Sequence, residues 1–246
     1  MIEAHDLAIG YGDTVLMEHL DFKVEKGDIF IILGGSGCGK STLLRTLIGL
    51  QAPLGGRISV RGNEHPGLSD GAPQFGTMFQ SGALFGSLSL LENVALPLRS
   101  WTDLPEDAVL AIAGARLRLV GLGGFDHHAP SEISGGMKKR AGIARALALD
   151  PDLLFLDEPS AGLDPVSAAE LDELILTLSR DLGVTTILVT HELESIFKIA
   201  KRCIMLERDA KTIIAQGDPR ILRDESQDER VGDFFNRRPR KMEALR

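Results

Sequence analysis

Gly34-Gly35-Ser36-Gly37-Cys38-Gly39-Lys40-Ser41-Thr42 is the stretch of sequence that decides the fold. It follows the short apolar run Ile29 to Leu33 and precedes apolar residues at helical spacing from Leu43 to Ile48. A glycine-rich loop between a strand and a helix is typical of the phosphate-binding P-loop, whose backbone N–H groups surround phosphates. We expect Lys40 to reach the β and γ phosphates of a nucleotide and Ser41 to bind Mg²⁺. A flexible glycine turn is the alternative, and the flanking strand and helix disfavour it.

Two acidic residues end a second apolar run. Leu153 to Leu156 predicts a buried parallel strand, and Asp157 and Glu158 follow at its carboxyl end, the edge where such sheets bind ligands. We expect Asp157 to hold Mg²⁺ and Glu158 to orient or deprotonate the water that attacks the γ-phosphate. Acidic residues after a strand are more often helix caps. The P-loop in the same chain favours the catalytic interpretation.

A second glycine motif, Ser134-Gly135-Gly136-Met137, opens a segment with helical periodicity that runs from Lys138 to Leu149. An ordinary helix start capped by Ser134 is the simpler interpretation. Helix N-termini also bind anions. Because the chain already has a P-loop, we expect this helix start to face the γ-phosphate held by another molecule.

Composition narrows the classes of partner. The 246 residues carry a net charge of −8, which disfavours nucleic-acid binding because a phosphate backbone requires a basic face. No apolar run approaches the ~20 residues of a membrane-spanning helix, and the first six residues do not resemble a secretory signal. Cys38 and Cys203 do not suggest a disulfide framework. We therefore expect the chain in the cytosol.

Strand-like runs that alternate with helical patterns predict an α/β fold with a parallel sheet. Short alternating runs at Leu7 to Ile9 and Leu20 to Val24 predict an N-terminal antiparallel β-layer, and Glu106 to Leu119 predicts a helix of an inserted helical subdomain. We predict a single domain over 1–246, with the β-layer and P-loop core at 1–82 and 152–218, the helical subdomain at 83–151 and a C-terminal tail at 219–246.

The tail is charged and contains a few apolar residues. Val231, Phe234 and Phe235 are followed by basic residues that include Arg240 and Lys241. Such a segment could dock on a second protomer or on a small cytosolic partner. A frayed terminus that is only partly ordered is the alternative.

Together these motifs resemble the ATP-binding cassette (ABC) family, from Met1 to about Gly217, and so imply an ABC-type P-loop nucleotide-binding domain that hydrolyses ATP. Ile133 to Met137 resembles the signature motif, which caps ATP bound to the other protomer of a homodimer. Met137 and Gly35 depart from the commonest family residues, and neither change alters the phosphate-facing backbone. The resemblance also implies that Tyr11 stacks on adenine and that Gln80 senses Mg²⁺ and the membrane partner. It implies that Asp164, in the D-loop Ser160 to Asp164, contacts the nucleotide. His191 is implied as a catalytic residue near the γ-phosphate.

Two segments narrow the resemblance further. Phe79 to Leu88 and Ile133 to Gly142 resemble the ATPases associated with MCE proteins, among them the Mla group. This resemblance implies coupling of ATP hydrolysis to phospholipid transport between bacterial inner and outer membranes. The implied partners are integral permease subunits and a periplasmic MCE-domain lipid-binding protein, with the ATPase on the cytoplasmic face of the inner membrane.

Three other classes share part of this pattern. An ATPase of a polar-solute importer, for example for amino acids, has every nucleotide motif, and the segment Met137 to Arg140 favours the lipid group over it. A non-transport ABC protein of DNA repair or translation usually has two cassettes or a long coiled-coil insertion. A metabolic P-loop kinase has no use for the signature motif.

Overall fold

The computed structural model describes residues 1–64, 71–80 and 82–238. The strands are β1 (Ile2–Tyr11), β2 (Thr14–Val24), β3 (Ile29–Gly34), β4 (Gly55–Val60), β5 (Gly76–Met78), β6 (Leu153–Asp157), β7 (Thr185–Val189), β8 (Arg202–Glu207) and β9 (Thr212–Gly217). The helices are α1 (Lys40–Leu47), α2 (Leu90–Trp101), α3 (Glu106–Leu119), α4 (Gly135–Ala146), α5 (Pro165–Asp181), α6 (Leu193–Ile199), α7 (Pro219–Glu225) and α8 (Glu229–Phe235), with a 3-10 turn at Pro130–Glu132.

The strands form a mixed α/β fold, as predicted. Among the described residues, one sheet has the order β5-β6-β7-β3-β8-β9 and is parallel except for β9, which runs antiparallel to β8. The other has the order β2-β1-β4 and is antiparallel. It contains both of the predicted antiparallel runs, although β1 and β2 are longer than the sequence pattern indicated.

Strand β3 is buried along its whole length and joins the two halves of the core. Phe30 and Ile32 pack with β1, β2 and α1, whereas Ile29, Ile31 and Leu33 pack with the helices on the other face. A strand covered on both faces is apolar throughout rather than alternating. The P-loop therefore leaves the sheet from a strand that is packed on both faces.

Helices α2, α3 and α4 lie between β5 and β6 in the chain, and α3 spans the predicted Glu106–Leu119. Ser89 and Glu92 form a capping box that starts α2. Asn93 is fully buried, and its side-chain amide accepts a hydrogen bond from the N–H of Phe85 (2.7 Å) and donates one to the Phe85 carbonyl (3.1 Å). The buried amide thus fixes the loop that precedes α2.

The tail folds back on its own chain. Val231 and Phe235 of α8 are buried in the main core, and the Phe235 ring lies 5.6 Å from that of Phe197 on α6. The alternative of a frayed terminus is wrong for α7 and α8, whereas docking of the tail on a second protomer or a small cytosolic partner stays a prediction. Burial of apolar surface against α6 explains the difference. Arg240 and Lys241 lie outside the described residues.

Replacing Phe235 by alanine should lower the free energy of unfolding by about 3–5 kcal/mol, because it empties a filled position in the core. Urea unfolding measures this change. Ile221→Ala, on α7 and 55% exposed, is the matched control and should cost less than about 0.5 kcal/mol. Equal losses in the two variants would show that α8 does not belong to the core.

No helix in the part of the chain that the structure describes is long and apolar enough to cross a membrane.

Candidate functional site

The P-loop connects β3 to α1 and curls around the ammonium group of Lys40. Lys40 Nζ donates hydrogen bonds to the carbonyl oxygens of Gly34 (2.9 Å) and Gly35 (2.8 Å). Gly34 has φ 144°, and a Cβ added there would lie 2.5 Å from the sulfur of Cys38 and 2.6 Å from the Leu206 carbonyl oxygen. The loop therefore closes this tightly only with glycine at position 34.

The rest of the loop divides into an exposed and a buried part. Gly35, Ser36 and Gly37 are exposed at its tip. The Cys38 thiol is buried beneath them, and burial raises its pKa. Cys38 therefore has only its backbone to offer a phosphate. Gly39 is left-handed (φ 96°) and turns the chain into α1, where Ser41 is half-buried and Thr42 is buried.

Tyr11, the predicted adenine contact, stands beside the helix that follows the P-loop. The residue is 51% exposed, and its hydroxyl lies 3.0 Å from the Thr42 hydroxyl. Arg45 of α1 donates a hydrogen bond of 3.3 Å to the same phenolic oxygen. The phenol is thus fixed while the ring remains accessible. Sequence reasoning missed Arg45 because it reads as an ordinary surface cation of a helix.

Two neighbouring strands bring Glu158 and His191 together at the carboxyl edge of the sheet. Asp157 ends β6, and His191 follows β7, which pairs with β6. Glu158 Oε1 lies 2.9 Å from Nδ1 of His191. Glu158 is left-handed (φ 48°), and its N–H donates to the carbonyl of Val189 (2.8 Å). The predicted catalytic pair is therefore in direct contact.

Two carboxylate oxygens at this edge are buried without a hydrogen-bond partner among the described residues, namely Asp157 Oδ1 and Glu158 Oε2. Burial, and secondarily the charge of Glu158, raises the pKa of Asp157. A buried, unpaired carboxylate oxygen is costly unless a cation or donor reaches it. Oxygen donors of this kind suit Mg²⁺.

Helix α4 begins at the second glycine motif, as predicted. Ser134 is its N-cap, and its hydroxyl accepts a hydrogen bond from the N–H of Met137 (3.3 Å). Ser134 and Gly135 are exposed and Gly136 is buried against Ser167. The first N–H groups of a helix have no acceptor within it, so Gly135 and Gly136 present donors at this end.

Asp164 is the N-cap of α5. Its carboxylate accepts hydrogen bonds from the N–H groups of Val166 and Ser167 and from the Ser167 hydroxyl. These bonds lower the pKa of Asp164, and the bond from the Ser167 hydroxyl has the largest effect. Within this chain Asp164 fixes the start of α5, and its nucleotide contact stays a prediction.

Gln80 follows β5 and has an exposed side chain. Its backbone carbonyl accepts a hydrogen bond from the ammonium of Lys139, which is buried in α4 and also donates to the Glu158 carbonyl (3.1 Å). Sequence reasoning did not single out Lys139, since a lysine in a run of basic residues normally lies at the surface.

The glycine cradle, the paired carboxylates and the histidine at one edge of a parallel sheet define a P-loop nucleoside triphosphatase. Residues 17–161 match the family model described as "ABC transporter". The chain belongs to the ABC transporter family, as an ATP-binding subunit that hydrolyses ATP.

Three similar proteins indicate its relationships. The intermembrane phospholipid transport system ATP-binding protein MlaF of Haemophilus influenzae is 41% identical over 240 residues, which are 96% of this chain and 90% of that one. The probable ribonucleotide transport ATP-binding protein mkl of Mycobacterium tuberculosis is 39% identical over 226 residues, which are 90% of this chain and 62% of that protein. A dimeric post-hydrolysis state of the cassette MJ0796, bound to ADP and Pi, superposes with a TM-score of 0.77 at 26% identity, over 89% of this chain and 98% of that one.

Proposed function

We propose that this chain is the ATPase subunit of a bacterial inner-membrane transporter that moves phospholipids between the inner and outer membranes. The observation that carries the proposal is the 41% identity with the Haemophilus influenzae phospholipid transport ATPase over 96% of the chain. Met137, at a position where most ABC proteins have glutamine, supports the same subgroup. The chain would lie on the cytoplasmic face, bound to integral permease subunits and through them to a periplasmic MCE-domain lipid-binding protein.

The proposed working unit is a homodimer with two composite sites. Tyr11, residues 34–42 and Asp157 bind ATP in one protomer, and Ser134 to Gly136 of the other cap its γ-phosphate. The exposed Ser134 and Gly135 support this arrangement, as does the dimeric state of the MJ0796 cassette with ADP and Pi. One chain supplies only half of each site.

The residues near β6 fit a Mg²⁺ ion that accompanies the nucleotide. Asp157, with its buried unpaired oxygen, would hold the ion together with the Ser41 hydroxyl and the Gln80 side chain. When bound, the ion neutralises charge on the phosphates. Its positive charge would also offset the burial that raises the pKa of Asp157.

Glu158 and His191 perform the chemical step in this proposal. Glu158 orients the attacking water and accepts its proton, and His191 holds the carboxylate and lies near the γ-phosphate. The bond between water oxygen and γ-phosphorus forms as the bond to the β–γ bridging oxygen breaks. Hydrolysis thus converts one anion into two, and their repulsion and the lost bridging contacts reopen the dimer.

An apolar groove between β5, α2 and α4 is the proposed docking surface for a short cytoplasmic helix of the permease. Phe85 (56% exposed) and Trp101 (42% exposed) line it, together with Leu96 and Arg145. Arg145 also donates a hydrogen bond to the Ala83 carbonyl (2.7 Å), which ties this loop to α4. An amphipathic helix with apolar residues at helical spacing is the partner that fits such a groove.

Trp101→Ala should weaken binding of the chain to its permease at least tenfold, because large exposed aromatic residues provide much of the binding energy of such surfaces. Co-purification of the tagged chain from co-expressed permease membranes measures the loss, and thermal unfolding confirms the fold. Leu182→Ala, an exposed apolar residue at the amino edge of the sheet (50% exposed), is the control. Equal recovery of permease with both variants would place the docking surface elsewhere.

A polar-solute transporter is the second candidate, favoured by the 39% identity with the mycobacterial protein named for ribonucleotide transport. The nucleotide site is the same in both candidates, so nucleotide assays do not separate them. The identity of the permease and of the lipids that co-purify with the chain separates the two candidates.

A further inference from the structure

Lys139 is a buried cation at the meeting point of three motifs. Only 7% of the residue is exposed, and its ammonium donates hydrogen bonds to the carbonyl oxygens of Gln80 and Glu158. It belongs to α4, the helix that begins at Ser134. A single side chain therefore links α4 to the segment after β5 and to the segment after β6.

The environment of Lys139 requires these contacts. A buried ammonium group is costly unless its protons are hydrogen-bonded and its charge is balanced. The two carbonyls accept two of its three protons. Burial lowers the pKa of Lys139, and the nearby charges of Glu158 and Asp157 offset this effect only in part. The lysine is thus held by polar contacts rather than by packing alone.

The backbone of Glu158 is hydrogen-bonded through both its N–H and its carbonyl group. Its N–H donates to the Val189 carbonyl and its carbonyl accepts from Lys139. Glu158 has φ 48°, a conformation that residues other than glycine rarely adopt. The same carbonyl also accepts a longer hydrogen bond from the N–H of Ala161 (3.3 Å). Together these bonds hold this conformation, and it aims the carboxylate at His191 (2.9 Å).

We propose that Lys139 is a positioning residue that sets the orientation of Glu158 and makes it depend on the position of Gln80. The inference rests on the proposed catalytic role of Glu158. Gln80 precedes the loop that carries Phe85 into the groove, so a displacement of that loop moves the Gln80 carbonyl. Through the shared ammonium, the displacement reaches the Glu158 peptide and its carboxylate.

The test compares three variants of the full chain. Lys139→Met keeps the length and packing of the side chain and removes its donors, and should lower kcat at least tenfold with the Kd for ATP within twofold of wild type. Lys139→Arg keeps a donor and should recover most of that loss. Lys201→Met removes a lysine that donates to the Gly27 carbonyl (2.8 Å) at the amino edge of the sheet, and should leave kcat within twofold.

A double-mutant cycle with Glu158→Gln separates positioning from general loosening of the fold. If Lys139 acts through Glu158, Lys139→Met should not slow single-turnover hydrolysis further in the Glu158→Gln background. A further tenfold loss there, or wild-type kcat in Lys139→Met alone, would overturn the inference. Should Lys139→Met unfold, Lys139→Leu, which also lacks a donor, enters the same cycle under the same criterion. Normal turnover by Glu158→Gln alone would instead refute the catalytic role of Glu158, and with it the basis of the inference.

Discussion

Replacing Glu158 by glutamine is expected to lower kcat for ATP at least ~100-fold while nucleotide remains bound, as loss of a general base typically does. Glutamine has nearly the same shape but cannot accept the proton of the attacking water. With ATP and Mg²⁺ the variant should therefore accumulate as a closed dimer. Phosphate release measures the rate, and light scattering after gel filtration measures the mass of the complex.

The matched control is Glu173→Gln, which removes a carboxylate paired with Lys198 on the protein surface. It should turn over within twofold of wild type and show no ATP-dependent dimer beyond that of wild type. Wild-type turnover by Glu158→Gln would refute the role of Glu158. Slow turnover with a monomer at every ATP concentration would contradict the composite site.

Replacing Lys40 by alanine is expected to weaken ATP binding by about 10- to 150-fold, since a hydrogen bond to a charged group contributes about 1.5–3 kcal/mol. In the structure the ammonium is held by the Gly34 and Gly35 carbonyls, so it lies inside the curl of the loop proposed to bind the phosphates. Isothermal titration with ATP measures the change directly.

Lys26→Ala is the control for Lys40→Ala, because Lys26 precedes β3 at the opposite edge of the sheet and is exposed. Its affinity for ATP should match that of wild type. Equal affinities for all three proteins would show that the loop does not bind the nucleotide phosphates through Lys40.

The parts of the fold that follow from local patterns could be predicted from the sequence. The buried strands β3 and β6 are continuous apolar runs, and Gly34 to Thr42 is a motif whose residue spacing leaves few alternatives to a P-loop. The contact between Glu158 and His191 was also predictable in outline, because both follow parallel strands and must reach the same edge. The strands and the P-loop depend on residues close together in sequence, and the Glu158–His191 contact depends on the shared edge at which two neighbouring parallel strands end.

Other features depend on tertiary packing that a local pattern does not encode. Lys139 looks like a surface residue in a basic run, and only the approach of β5 and β6 to α4 surrounds it with carbonyls. Asn93 likewise reads as a polar residue of a helix, yet it is buried and holds the Phe85 loop. The order of α7 and α8 was missed for the same reason: the charge of the tail suggested a frayed segment, whereas Phe235 packs against Phe197.

The central claim, that this ATPase drives phospholipid transport, is tested most directly by what binds it. Tagged Glu158→Gln protein would be purified with ATP from detergent-solubilised membranes of its own organism, and the bound proteins and lipids identified by mass spectrometry. The account predicts a permease, an MCE-domain protein and phospholipid, all absent when untagged Glu158→Gln protein is put through the same purification. Recovery of a polar-solute permease without an MCE-domain protein, or of no membrane protein, would contradict it.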